Sequence, residues 1–193
     1  GAARTRRLMQ PRPLVPFSAE PQLEGLSLDC AAHWQDGLLT LNYSLSGALQ
    51  PILLPASAAE QRRRDELWQT TCFEAFLGRP GQPKYWEINL APSGDWNLYA
   101  LSDYRTGLQP EASVSQLPFT MDRLQSDPAD PQTLQRLDLE VVVDLSALIS
   151  ADAPLELSAT TVLEHRELGC TYWAWHHSGP EADFHRRESF QPL

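Results

Sequence analysis

The chain has 193 residues and a formal net charge of -10, with 25 Asp and Glu against 15 Lys and Arg. That acidity excludes general nucleic-acid binding, which needs clustered cations to displace counterions, and it disfavours docking on anionic membranes. Sixteen prolines, six tryptophans and a hydrophobic content of 42% predict a folded, turn-rich protein that is neither disordered nor mainly helical.

Residues 1–13 read as a flexible leader. Arg4, Arg6 and Arg7 are not followed by an apolar run, so the leader is not a secretory signal, and a cytoplasmic location is expected. From Leu26 to Ala32 apolar and polar residues alternate. Asp36-Gly37 marks a turn, and Leu39, Leu41, Tyr43 and Leu45 then share one face, which predicts a hairpin. Arg62, Arg63 and Arg64 fall in a stretch, Ala58 to Asp65, that predicts a solvated loop with a short helical turn. Cys72–Leu77 and Tyr85–Leu90 read as strands around the turn cluster Gly78-Arg79-Pro80-Gly81. Trp96–Leu101 is a third strand after Pro92-Ser93-Gly94, with Trp96 in the core and Asp95 capping the turn through its own backbone.

The segment Gln109–Gln135 is polar and predicts one long loop or partly extended excursion. Alternation returns at Leu137, Leu139, Val141 and Val143, and again at Leu155, Leu157, Ala159 and Thr161, with a helical turn expected at Asp144–Ile149 between them. The run Cys170–His177 predicts an aromatic strand that puts Trp173 and Trp175 in the core and His176 outward. About eight to ten strands imply an all-β antiparallel sandwich, jelly-roll or immunoglobulin-like, forming a single domain over residues 1–193. Cys30, Cys72 and Cys170 are odd in number and form no CxxC pair, so they read as reduced core thiols.

One predicted sheet face stands out. Glu74 shares a side with Cys72 and Phe76, while Tyr85, Glu87 and Asn89 share a side of the next strand. Such a face either lines a cleft or is a solvated outer surface. Trp68, just before it, is either a platform for a ligand or a buried anchor. Two carboxyls on neighbouring strands also fit the pairs used in glycoside hydrolysis. His176, His177 and His185, even with Asp183, lack zinc-ligand spacing, and no nucleophile or phosphate-loop motif is present. No metal, cofactor or catalytic residue is expected.

The stretches DELWQTTCFEAF (residues 65–76) and YWEINLAPSGDW (residues 85–96) resemble the core hairpin of family 9 carbohydrate-binding modules and of DOMON-like domains. The spacing of Trp68, Glu74, Asn89 and Gly94 carries that resemblance. The turn PSGDW and the tail DFHRRESF resemble more closely a bacterial DOMON-like group common in cyanobacteria. The resemblance implies a non-catalytic binding domain for a small polar ligand, saccharide first, held between Trp68 and a ring of the tail, Phe184. Glu74, Glu87, Asn89 and His185 would be its polar contacts. Glu87 departs from the sugar-binding pattern, which has Arg there; a carboxylate and a guanidinium do opposite work at hydroxyls. Haem, bound by some DOMON domains through Met and His, is not expected, since Met9 and Met121 fall outside the predicted strands. A protein-interaction or structural module and a glycoside-acting enzyme are the alternative functions.

Overall fold

The computed structural model of the protein describes residues 10–193. In chain order its strands are β1 (Arg12–Pro13), β2 (Val15–Pro16), β3 (Leu26–Gln35), β4 (Leu38–Gly47), β5 (Cys72–Gly78), β6 (Tyr85–Leu90), β7 (Trp96–Leu101), β8 (Gln109–Pro110), β9 (Phe119–Gln125), β10 (Leu134–Asp144), β11 (Glu156–His165), β12 (Gly169–Ala174) and β13 (Gln191–Pro192). Four are two-residue pairings, and the nine longer ones agree with the predicted eight to ten. They form two antiparallel sheets, ordered β1-β3-β4-β10-β9 and β2-β12-β11-β5-β6-β7-β8, with β13 pairing β11.

The first sheet is built by alternation. Asp36 and Gly37 both take left-handed backbone angles, φ 53° and 79°, as the tightest hairpin turn requires, and this fixes the register of β3 on β4. Leu39, Leu41, Tyr43 and Leu45 therefore point inward together, opposite Leu137, Leu139, Val141 and Val143 of β10. The second sheet answers with Phe73, Ala75 and Leu77, with Trp86, Ile88 and Leu90, and with Trp173 and Trp175. Tyr43 and Phe73 meet edge to face across the two layers, 5.4 Å between ring centres. Each large apolar side chain removed from water here stabilises the fold by about 1.5–3 kcal/mol.

β5, β6 and most of β11 are buried on both faces. The second sheet thus has an inner face against the first sheet and an outer face covered by something else. The cover is the C-terminal tail, residues 178–190, together with the segment around Trp68. Beneath them a second apolar cluster forms from Phe76, Tyr85, Tyr99, Leu101 and Phe190, with Trp68 and Phe184 packed against it.

Several expectations are corrected. Residues 1–9 of the expected leader, with Arg4, Arg6, Arg7 and Met9, lie outside the described residues, but Arg12–Pro13 pairs with β3 and Leu14 is buried, so the leader does not run to residue 13. The excursion Gln109–Gln135 contributes the edge strand β9, whose Phe119 and Met121 pack on the core while Thr120, Asp122 and Leu124 face water. Its polarity is that of a half-solvated edge. Ala58–Asp65 contains no helix. It runs alongside β7, with backbone hydrogen bonds Trp96 N–H to Arg62 and Arg64 N–H to Trp96. Arg63 is half-buried, and Asp95 accepts from the Arg62 N–H instead of capping its own turn. Cys30 and Cys72 are buried, but Cys170 is only half-covered, beside the carbonyl of Gln69.

Candidate binding site

The antiparallel register lines up side chains across the outer face in rows. One row runs Thr160, Glu74, Asn89, Asn97, and the next runs Ser158, Phe76, Glu87, Tyr99. Neighbouring strands are about 4.8 Å apart, so Phe76 and Tyr99, on either side of Glu87, are anchored about 10 Å from each other. Trp68 stands on Tyr99, 5.9 Å between ring centres, and Phe184 stands on Phe76 at 6.0 Å. Between the sheet, the Trp68 segment and the tail lies a cavity of about 510 Å³ bordered by Trp68, Glu74, Glu87, Phe184 and His185. That volume falls within the roughly 300–1,000 Å³ of small-molecule sites.

Local structure explains how each ring arrives. Glu66 takes a left-handed conformation, φ 62°, and starts the single 3-10 turn Leu67–Gln69 that turns Trp68 over the sheet. Asp65, just before it, accepts from the Tyr99 hydroxyl at 2.7 Å and from the Asn97 amide at 3.2 Å. The tail is held at two points. Asp183 accepts from Tyr104 and from Arg105, the latter at 2.9 Å, and from the His185 N–H. Four residues on, the Arg187 guanidinium donates to Glu156 and to the carbonyls of Arg79 and Gln82.

His185 is oriented by a relay. The Tyr85 hydroxyl accepts the Arg105 N–H at 3.0 Å and lies 2.7 Å from His185 Nδ1. With Tyr85 donating to Nδ1, the ring proton sits on Nε2, which faces Glu87 Oε1 at 3.4 Å. Burial, followed by the charge of Arg105, lowers the imidazole to about 4. Burial raises the Glu87 carboxyl to about 7, against the lowering influence of the Asn89 amide and Arg105. The contact is therefore between a neutral imidazole and a carboxyl; it is not an ion pair at neutral pH. Glu74 is only 2% exposed, and burial followed by the charge of Glu87 pushes its carboxyl well above the ordinary range.

Of the six residues singled out from sequence, five border this cavity. Asn89 lies under the floor instead, fully buried opposite Glu74, and neither of its amide atoms makes a hydrogen bond of ordinary geometry. Ser158 and Thr160, in the same two rows, also have unpartnered hydroxyls. The face is the outer one, yet it is not solvated, because the tail covers it. Trp68 is neither free platform nor core anchor but half-buried at the wall. Sequence reasoning did not place Phe76, Arg105 and Tyr172 among the binding residues, although all three border the cavity. Alternation on the strand of Trp173 already turned Tyr172 to this side, and Tyr172 meets Phe184 edge to face at 5.9 Å. His177 bonds the Val15 carbonyl and His176 faces water; among the described residues no group of three or more His, Cys, Asp or Glu is placed to hold a metal ion.

No protein-family model matches the sequence, and no curated protein does. Among solved structures, the chain is similar to a candidate carbohydrate-binding protein from Bacteroides uniformis, with a TM-score of 0.61 and 14% identity over 96% of this chain and 85% of that one. A family 9 carbohydrate-binding module from Caldicellulosiruptor kristjanssonii overlaps less. Its cellotriose complex has a TM-score of 0.46 at 10% identity over 86% and 72% of the two chains, and its glucose complex 0.48 at 11% over 95% and 82%. The first likeness shows a shared β-sandwich fold; the other two overlaps are too small to add to it.

Proposed function

We propose that this protein is a non-catalytic binding domain for a small polar ligand, with a saccharide as the first class to test. One observation carries the reading. An indole from the middle of the chain and a phenyl ring from the carboxyl-terminal tail border one cavity, over a floor of buried hydrogen-bonding groups. Ring faces stack on the C–H faces of a sugar while its hydroxyls reach polar groups at the edge. The resemblance of the sequence to family 9 modules and DOMON-like domains at Trp68, Glu74, Asn89 and Gly94 supports the same reading. The two carboxyls do not favour hydrolysis. They project from the same face, on diagonal positions of adjacent strands, whereas glycosidases place an acid and its partner on either side of the scissile bond.

Calorimetric titration with a panel of mono- and oligosaccharides tests this. Binding is expected for at least one sugar, weakened about tenfold or more in Trp68→Ala and in Phe184→Ala, which corresponds to about 1.4 kcal/mol. Absence of heat with every sugar, or binding unchanged in both variants, overturns it.

A further inference from the structure

Glu74 and Glu87 project into the cavity with only 2% and 5% of their surface exposed. Buried carboxyls ordinarily have a cation or several donors. Here Glu74 receives no side-chain hydrogen bond among the described residues, and the groups nearest Glu87, the His185 ring and the Asn89 amide, are uncharged. Arg105 is the one cation at the cavity border among the described residues, and it is engaged by Asp183 at 2.9 Å with its own side chain half exposed. The floor therefore carries acid without countercharge, while the walls are the aromatic rings of Trp68, Phe76, Tyr172 and Phe184.

Resting on the binding function above, we infer that the ligand of this cavity carries a protonated amine, an amino sugar being the class that fits. A neutral saccharide matches the rings and offers hydroxyls but brings nothing to balance the two carboxyls. An acidic one is repelled. An ammonium group has three donors, enough to reach both Glu74 and Glu87, and aromatic faces attract it as well. The inference also explains the departure at Glu87, since a guanidinium at that position would repel such a ligand.

The protons follow from the surroundings. From the strands, Cys72, Glu74, Tyr85, Glu87, Tyr99 and Tyr172 face the floor; Arg105 faces it from the turn after β7, and Asp183 and His185 from the tail. Burial pushes Cys72 and the three tyrosines upward, and it lowers His185. For Asp183, hydrogen bonds from Tyr104 and Arg105 outweigh burial and hold the carboxyl down, and Arg105 is raised by the same contact in spite of burial. That leaves Glu87, pushed up to about 7, as the group in the site that changes charge near neutrality, with Glu74 beside it shifted in the same direction by burial and by the charge of Glu87. An entering ammonium stabilises their ionised forms, so binding releases protons.

Calorimetry of the intact protein at pH 7, with glucosamine, N-acetylglucosamine and glucose as probes, distinguishes the possibilities. Glucosamine is expected to bind at least tenfold more tightly than the other two. Its apparent heat should vary with the ionisation enthalpy of the buffer, in the direction of proton release. Glu87→Gln and Glu74→Gln, each preserving side-chain size, are each expected to reduce the preference for glucosamine over glucose several-fold, and a preference unchanged in both overturns the assignment of the amine to these carboxyls. Glucose or N-acetylglucosamine binding as tightly as glucosamine overturns the amine and leaves saccharide binding standing. No binding of any of the three, nor of the wider sugar panel, overturns both.

Discussion

At the scale of single residues, the site depends on a relay that begins outside it. The half-buried Arg63 guanidinium donates to Asn97 Oδ1 at 2.8 Å and to the carbonyls of Leu98, Glu111 and Val114, and it lies over the Trp96 ring. Asn97, so fixed, donates to Asp65; Asp65 accepts from Tyr99; and Trp68 rests on Tyr99. Arg63→Ala removes a donor from four acceptors, two of them on the buried strand β7 and two in the segment that follows β8. It is expected to cost about 2–4 kcal/mol, read as a lowered urea midpoint. Arg63→Lys should recover little, because one ammonium cannot reproduce a planar fork shared among four acceptors. A midpoint within experimental error of the parent for Arg63→Ala would show the relay to be ornamental. None of this was legible in the run Arg62-Arg63-Arg64, which reads as a solvated loop. Which of three adjacent arginines turns inward is decided by the path of the segment along β7, a long-range pairing with no local signal.

At the scale of elements, the tail converts an outer sheet face into a covered one, and Gly78 is where it is fastened. A Cβ on Gly78 would lie 2.8 Å from the Arg187 guanidinium carbon. The clash is with the far end of a flexible side chain, so the sheet survives and the fastening is lost. Gly78→Ala is expected to destabilise by about 1–3 kcal/mol by expelling Arg187 from Glu156 and from the carbonyls of the β5–β6 connection. In an Arg187→Ala background the same change should be neutral, or stabilising by up to about 1 kcal/mol, since alanine in a strand is otherwise preferred to glycine. A double-mutant cycle by chemical denaturation reads the coupling, and additive effects would exclude the fastening. The strands themselves were legible. β6 and β7 run over the residues that alternation and turn signals pick out, because a period-two pattern needs only one buried face to declare itself. β9 was hidden because Thr120, Asp122 and Leu124 face water at an edge. The tail was hidden because its contacts are polar and distant in sequence.

At the scale of the whole molecule, the middle strands of the second sheet are buried on both sides, with hydrocarbon on one and carboxyls and amides among aromatic rings on the other. Which residues share the outer face could be read from sequence; that the face is covered could not, since it depends on where the chain goes after β12. That burial has a consequence for stability. Glu87 titrates near 7 in the folded protein against an ordinary 4.5, so between those values the folded state binds more protons than the unfolded chain and stability falls as pH rises. Glu74 is shifted in the same direction, by burial and then by the charge of Glu87, and adds to the fall. His185 acts oppositely. Held near 4 against an ordinary 6.5, it makes the unfolded chain the better proton acceptor in that interval, and stability rises with pH there. From about 4.5 to 6.5 the imidazole offsets only one of the two carboxyls, so the unliganded protein should still lose stability as pH rises there, though more slowly than without His185. Above 6.5 only the carboxyls continue, and stability should fall by about 1 kcal/mol or more by pH 8. Glu87→Gln carries no such charge. It should make the fall above 6.5 less steep and, at pH 8, exceed the parent by on the order of 2–3 kcal/mol, while differing much less at pH 5. Guanidinium unfolding at pH 5, 6.5 and 8 provides the comparison. A parent whose stability holds or climbs between 6.5 and 8 would mean that the two carboxyls are hydrated, and that the floor of the cavity is wet and not closed by the tail.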